Sequence, residues 1–285
     1  LPVFTDAGRY RFVDVGFRDI EVENSQWRIL GGARGDFEGT GWDWDSALLY
    51  NRSHAKDTAN NSISRTLLQQ TLTNETSNVY NIFNGGNPNN PSVGDATPND
   101  RALIAPFLVD VVRESTAELA LVDFRTTNGD VFRLPGGSIG VAAGLEARYE
   151  AYEEDRDDRL DGTITYTDAV TGEFSATDVY GTSPTPDSSG SRNVLAGFME
   201  ASIPLVSPDM AIPLVNTFDV QLAARYEHYS DFGGSGINPR VAAAWTPFTG
   251  GLLSGAYSQG FRAPNPPLAN EAVDRPNRRW DGHFS

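Results

Sequence analysis

The chain contains no cysteine. That single absence excludes a disulfide framework, a thiolate metal site and a Cys nucleophile. Basic residues are scarce: 22 Lys and Arg stand against 38 Asp and Glu, a formal net charge of −16. This balance argues against nucleic acid as a partner, because gripping a phosphate backbone takes a basic footprint. No apolar run approaches the roughly 18 residues of a membrane-crossing helix. A helical membrane protein is thereby excluded, but a β-barrel is not, since each of its strands gives a much weaker signal. The chain opens at Leu1, with neither Met nor a charged-then-apolar leader. It reads as a mature fragment or an excerpt of a longer chain.

What is present is period-2 alternation. Ile139, Val141, Ala143, Leu145, Ala147, Tyr149 and Ala151 fall on one face of a strand. Gly140, Ala142, Gly144, Glu146, Arg148, Glu150 and Tyr152 fall on the other. Phe218, Val220, Leu222, Ala224 and Tyr226 alternate with polar or small residues in the same way. Alternation by itself gives only a half-buried strand, which a soluble sandwich also contains. Length separates the two readings. The runs far exceed the roughly 5–6 residues of an average soluble strand, and they suit the 9–11 tilted residues of a membrane strand. Nine long strands are predicted, near 9–23, 26–38, 42–54, 115–128, 138–153, 192–205, 216–230, 237–247 and 251–262.

The connections support a barrel independently. Short turns at Asn24–Ser25, Gly39–Gly41 and 134–137 and near 248–250 contrast with long segments at 55–114 and 154–191. Outer-membrane barrels have short inner turns and long outer loops. Placing 39–41, 134–137, 206–215 and 248–250 inside puts both long segments outside. The expected fold is therefore all-β: an antiparallel transmembrane β-barrel segment over 1–264 with two long extracellular loops, then a loop or truncated tail at 265–285.

Aromatic residues gather near strand ends. Trp42, Trp44, Phe218, Trp245 and Phe248 mark one end; Tyr149, Tyr152, Tyr226, Tyr229 and Phe232 mark the other. With Tyr257 they suggest two girdles at the membrane–water interfaces. Within 55–114, a short helix is predicted over Asn61–Leu72, then a turn-rich stretch, then RALIAPFLVDVVRE, in which Pro106 interrupts any single helix. A loop of this length is expected to be functional or disordered.

Several motifs, in order, resemble TonB-dependent receptors, the gated uptake barrels of Gram-negative outer membranes. Tyr257-Ser258-Gln259-Gly260-Phe261-Arg262-Ala263-Pro264 is similar to their YSxGFRAP segment. Arg225-Tyr226-Glu227, Tyr229-Ser230-Asp231-Phe232-Gly233 and Asn238-Pro239-Arg240 resemble the strand–loop–strand before it. Phe132-Arg133-Leu134-Pro135-Gly136-Gly137, Gly144-Leu145-Glu146-Ala147-Arg148 and Glu200-Ala201-Ser202-Ile203-Pro204-Leu205 fit as well. The resemblance implies a bacterial outer-membrane importer of a scarce solute, such as a ferric siderophore, a cobalamin or a glycan. It implies energy from TonB, reached through an N-terminal region not visible here, and it implies no covalent chemistry and no cofactor. The family's plug domain and closing strand are not recognisable either. A barrel of about 22 strands is implied, so nine strands would leave two open edges, costly in lipid and prone to aggregation.

In the barrel reading Arg148, Glu150, Arg225, Glu227 and Arg240 share the polar face. They would line the interior and meet a plug or a ligand, or else form a ladder of opposite charges between strands. The acidic run Glu153–Gly162 does not match a calcium loop and reads as solvated. His54, His228 and His283 are too scattered for a metal site. Gly31-Gly32-Ala33-Arg34-Gly35 lacks the Lys and helix of a phosphate loop. Two other functions remain open: a passive porin-like or adhesin-like barrel, and a soluble acidic β-sandwich that binds carbohydrate through Trp and Tyr. An enzyme is the least supported class.

Overall fold

A computed structural model describes residues 12, 14–73, 80–82, 99–231 and 235–264. The tail at 265–285, the segment 83–98, Phe232 and His283 lie outside the described residues.

Eight strands form one sheet in simple up-and-down order. They are β1 (Ile20–Phe37), β2 (Trp42–Ile63), β3 (Leu108–Leu134), β4 (Gly137–Arg156), β7 (Ser188–Val206), β8 (Thr217–Tyr229), β9 (Ser235–Thr246) and β10 (Leu253–Ser258). Two short strands, β5 (Tyr166–Thr167) and β6 (Phe174–Ser175), pair as a separate hairpin. Sequence neighbours are also sheet neighbours, and β1 and β10 end the row.

The short turns fall where Gly and Pro predict them. Gly39 and Gly41 both take positive φ, 76° and 73°, between β1 and β2. Pro135 and Gly136 alone connect β3 to β4. A Cβ on Gly136 would sit 2.4 Å from the Leu205 backbone, so this turn closes against β7 only with glycine there.

The predicted turn at Asn24–Ser25 is absent, because β1 runs straight through it. The apolar residues change phase there, from Ile20 and Val22 to Trp27 and Ile29. A slip in alternation resembles a break in the strand although the backbone continues. The first two predicted strands are therefore one, and the main sheet has eight strands where the pattern suggests about nine. Two boundaries also move. β2 extends to Ile63 and β3 begins at Leu108, both well inside the segment read as loop.

The described residues divide into two compact units. One comprises Leu1–Ser25, His54–Ser115 and Glu154–Ser188. It has its own apolar core of Val15, Leu68, Tyr80, Ile104 and Phe107. Helix α1 (Arg65–Thr73) supplies Leu68, and α2 (Arg101–Ile104) supplies Ile104. The predicted helix thus begins four residues later, at Arg65, because Asn61–Ile63 still belong to β2. Pro106 does end α2: it lies in a 3-10 turn over Ala105–Phe107 that leads into β3. A third short helix, α3 (Asp158–Asp161), follows β4 and is capped by the Asp157 carboxylate.

The other unit comprises Gln26–Ser53, Thr116–Glu153 and Ser189–Ser285. Its strands are inverted relative to a soluble sheet. Leu145 is 70% exposed, Leu195 57% and Met199 63%. The alternate positions carry charge, yet the side chains of Arg192, Glu146 and Glu150 are only 10%, 21% and 25% exposed. Large apolar side chains facing out and charged ones packed in is the arrangement of a wall whose outer solvent is lipid. A soluble β-sandwich hides its apolar face against a second sheet, and among the described residues none covers this one. The sandwich reading is set aside on this ground.

Candidate functional site

Strands β4, β7 and β8 place seven ionised side chains on one face. The spacing follows from the pleat, since residues two apart share a side. Glu146, Arg148 and Glu150 come from β4, Arg192 from β7, and Arg225 and Glu227 from β8, with Asp231 just beyond β8. Arg148 binds Glu146 at 2.8 Å and Glu150 at 2.7 Å. Arg192 reaches Glu150 at 2.6 Å and Asp231 at 3.7 Å, and its guanidinium lies 5.2 Å over the Tyr229 ring. Arg225 bridges Glu227 at 2.8 Å and Glu146 at 3.4 Å. Tyr229 donates its hydroxyl to Glu227 at 2.9 Å. The result is one unbroken chain of contacts, Asp231–Arg192–Glu150–Arg148–Glu146–Arg225–Glu227.

Four carboxylates and three guanidiniums leave this network one negative charge in excess. Asp231 is the least satisfied of the four carboxylates. Both its carboxylate oxygens are buried and neither accepts a hydrogen bond. Its one charged partner among the described residues, Arg192, is at 3.7 Å and already holds Glu150 closely.

Of the five residues singled out on the polar face, four meet here: Arg148, Glu150, Arg225 and Glu227. Arg240 does not join them. It pairs in register with Ala223 on one side and Ser258 on the other, so neither residue directly across from it is a carboxylate. Glu146, Arg192 and Asp231 complete the network. Glu146 was legible from its spacing of two from Arg148. Arg192 and Asp231 come from segments whose register no local pattern gives.

The aromatic residues lie largely on the opposite, exposed face. Phe218, Trp245 and Leu253 stand directly across from one another on β8, β9 and β10. Trp44 stacks on Phe124 at 6.3 Å and lies 6.4 Å from Phe37. Its partner two residues earlier, Trp42, is half-buried. Tyr149, Tyr226, Phe248 and Tyr257 are exposed.

In the first unit the two long connections are fastened to each other. Asp178 is wholly buried. Its carboxylate accepts from the Ser64 hydroxyl at 2.6 Å, from the Thr66 N–H at 2.8 Å and from the Arg159 guanidinium. Ser64 also caps α1 by accepting from the Leu67 N–H at 3.1 Å. Backbone bonds from Arg65 to Asp178 and from Tyr180 to Ile63 complete the join. Burial works against the Asp178 charge, but the hydrogen bonds from Ser64, Thr66 and Arg159 outweigh it, so its pKa lies below the ordinary carboxylate value. The hairpin β5–β6 docks on α1 as well: the Tyr166 hydroxyl donates to Gln69 at 2.6 Å, and the Ala169 N–H donates to the same oxygen at 3.0 Å.

Among the described residues no group of His, Asp or Glu could hold a metal ion. The acidic run is engaged structurally: Glu154 pairs with Arg113 and Arg156, and Asp157 caps α3.

A family model described as TonB dependent receptor-like, beta-barrel matches residues 2–271. The chain belongs to that family. A comparison with curated proteins finds no match. As a TonB-dependent receptor barrel, the chain belongs to a family of outer-membrane receptors whose business is transport. The charged face, the exposed apolar face and the up-and-down strand order are those of such a wall.

Proposed function

We propose that this TonB-dependent receptor segment forms wall and outer loops of an active importer. The solute is scarce and valuable, of the order of a ferric siderophore, a cobalamin or a glycan. TonB supplies the energy through an N-terminal region of the full protein, and a plug gates the lumen. In this reading the face bearing Arg148, Glu150, Arg225 and Glu227 lines the interior. Trp42, Trp44, Tyr149, Phe218, Tyr226, Trp245, Phe248 and Tyr257 meet the lipid and its headgroups.

The observation that carries this reading is the packing among the described residues of the long connections. A passive pore needs no long connection such as 64–107 with its own core. Here Leu68, Tyr80, Ile104 and Phe107 form such a core, and the buried Asp178 ties one connection to the other. Long connections with packing of their own are usually functional. Because the two share one buried join, they should transfer specificity only as a pair. Exchanging 64–107 and 157–187 together with those of a receptor of different solute is expected to change which solute supports growth. Unchanged solute choice in a folded, surface-displayed exchange would contradict the proposal.

A further inference from the structure

Arg65 has no carboxylate partner among the described residues, yet its Nε is buried. Acidic residues outnumber basic ones by 38 to 22, and most guanidiniums in the strands and loops hold a carboxylate. Arg65 forms no ion pair among the described residues. Its guanidinium carbon lies 4.7 Å from the Tyr180 ring centre and 5.9 Å from that of Tyr166. Its Nε is buried without a hydrogen-bond partner, while the side chain as a whole is only partly buried.

The surroundings hold this group ready without satisfying it. Arg65 is the first residue of α1, and its own backbone N–H is committed to the Asp178 carbonyl. The Tyr166 hydroxyl is held by Gln69 and Asp168. Asp168 is occupied in turn, accepting from the Val170 and Thr171 N–H groups at 2.8 Å each. Tyr180 is 39% exposed, and its hydroxyl bonds to no described residue. Burial raises the Tyr180 pKa, so the phenol keeps its proton and remains a donor. A planar cation braced by two rings loses little freedom on accepting a planar or tetrahedral oxyanion at its free edge.

We infer that Arg65, held over the Tyr180 ring, is an oxyanion subsite that takes a carboxylate or phosphate group of the solute, with the Tyr180 hydroxyl as second donor. This rests on the reading of the outer loops as the ligand-contacting part. The rival is a purely structural staple, in which Arg65 only fastens α1 to the segment 166–180 through the two rings.

The test uses the intact receptor in detergent. Sodium malonate and sodium phosphate serve as probes in separate arms, at matched ionic strength set with sodium chloride. Phenylglyoxal modification of each arginine is followed by mass spectrometry. If the site exists, one or both probes cut modification of Arg65 at least tenfold while the exposed Arg133 reacts unchanged. Calorimetric binding of that probe is lost in Arg65→Gln and weakened several-fold in Tyr180→Phe. If Arg65 is a staple, its modification changes less than twofold with either probe, and the inference is overturned. The wild-type arm decides even where Arg65→Gln fails to fold. Solute uptake by the same receptor is scored separately. Protected Arg65 without energised uptake leaves the subsite standing and removes the importer reading; energised uptake with unprotected Arg65 does the reverse.

Discussion

Arg192 connects Glu150 to Asp231, and its side chain is 10% exposed. Removing it leaves the buried Asp231 carboxylate without its ion pair and leaves Glu150 to Arg148 alone. Breaking a buried pair in this way costs about 3–5 kcal/mol. Arg192→Ala is therefore expected to lower the urea midpoint of the detergent-solubilised receptor clearly. Arg133→Ala provides the contrast. That side chain is 76% exposed and pairs with an exposed Asp130, so its loss should cost about 1 kcal/mol or less. Equal effects of the two substitutions would mean that the network is not a structural strut. Asp178 behaves differently because its charge is wanted in the folded state. A folded-state pKa below the unfolded value means its contribution is full above the unfolded pKa, near 4, and fades as pH falls through the depressed folded value. Tyr166 has the opposite sign. Burial and its bond to Asp168 raise its pKa, so its contribution holds below about pH 10 and fades as pH rises toward the raised value. Hydrogen exchange in the joined loops should accordingly stay level from about pH 5 to 9, after correction for intrinsic exchange rates. A loss of protection centred near pH 6 to 7 would contradict this assignment.

At the level of elements, two close approaches set how the pieces fit. A Cβ on Gly144 of β4 would lie 2.3 Å from a ring carbon of Phe198 on β7. Gly144→Ala should destabilise the wall by about 1–3 kcal/mol, the usual cost of overpacking. Adding Phe198→Leu should recover most of that loss in thermal unfolding; a strictly additive double variant would show that the two do not touch. Asp178→Asn tests the loop join. It leaves the Arg159 cation facing a neutral amide and is expected to raise hydrogen exchange in 64–107 and 157–187 together. Loosening confined to one of them would show that they fold apart. Much of this level was legible from residue order. Gly39, Gly41, Pro135 and Gly136 mark their turns because few other residues fit them, and alternation over 138–153 marks β4. The slip at Asn24–Ser25 was misread because a phase change and a turn look alike in one dimension. The Asp178 join was invisible for a different reason. It links residues more than a hundred positions apart, and a lone Asp in a polar loop carries no local sign of burial. The charge network was half legible: spacing of two gave Glu146, Arg148 and Glu150, whereas Arg192 and Asp231 depend on strand register.

At the scale of the whole molecule, the eight-stranded sheet ends on β1 and β10, and among the described residues the two do not pair. Unpaired backbone in lipid costs several kcal/mol per group, so a membrane wall must close. The family relationship supplies the solution, since these strands are part of a barrel. The central claim is that the Leu195, Met199, Leu222 and Tyr226 face meets lipid while the Arg192 and Glu227 face does not. The absence of native cysteine in these 285 residues makes that claim directly measurable. Single cysteines are placed in turn at positions 221 to 226 of β8 in the intact receptor, in outer-membrane vesicles. Each is probed with a water-soluble maleimide and with a bilayer-confined quencher on an attached fluorophore. The account predicts strict alternation: quenching from the lipid at 222, 224 and 226, and maleimide labelling without lipid quenching at 221, 223 and 225. Uniform maleimide labelling at all six positions, with no lipid quenching at 222, 224 or 226, would contradict it.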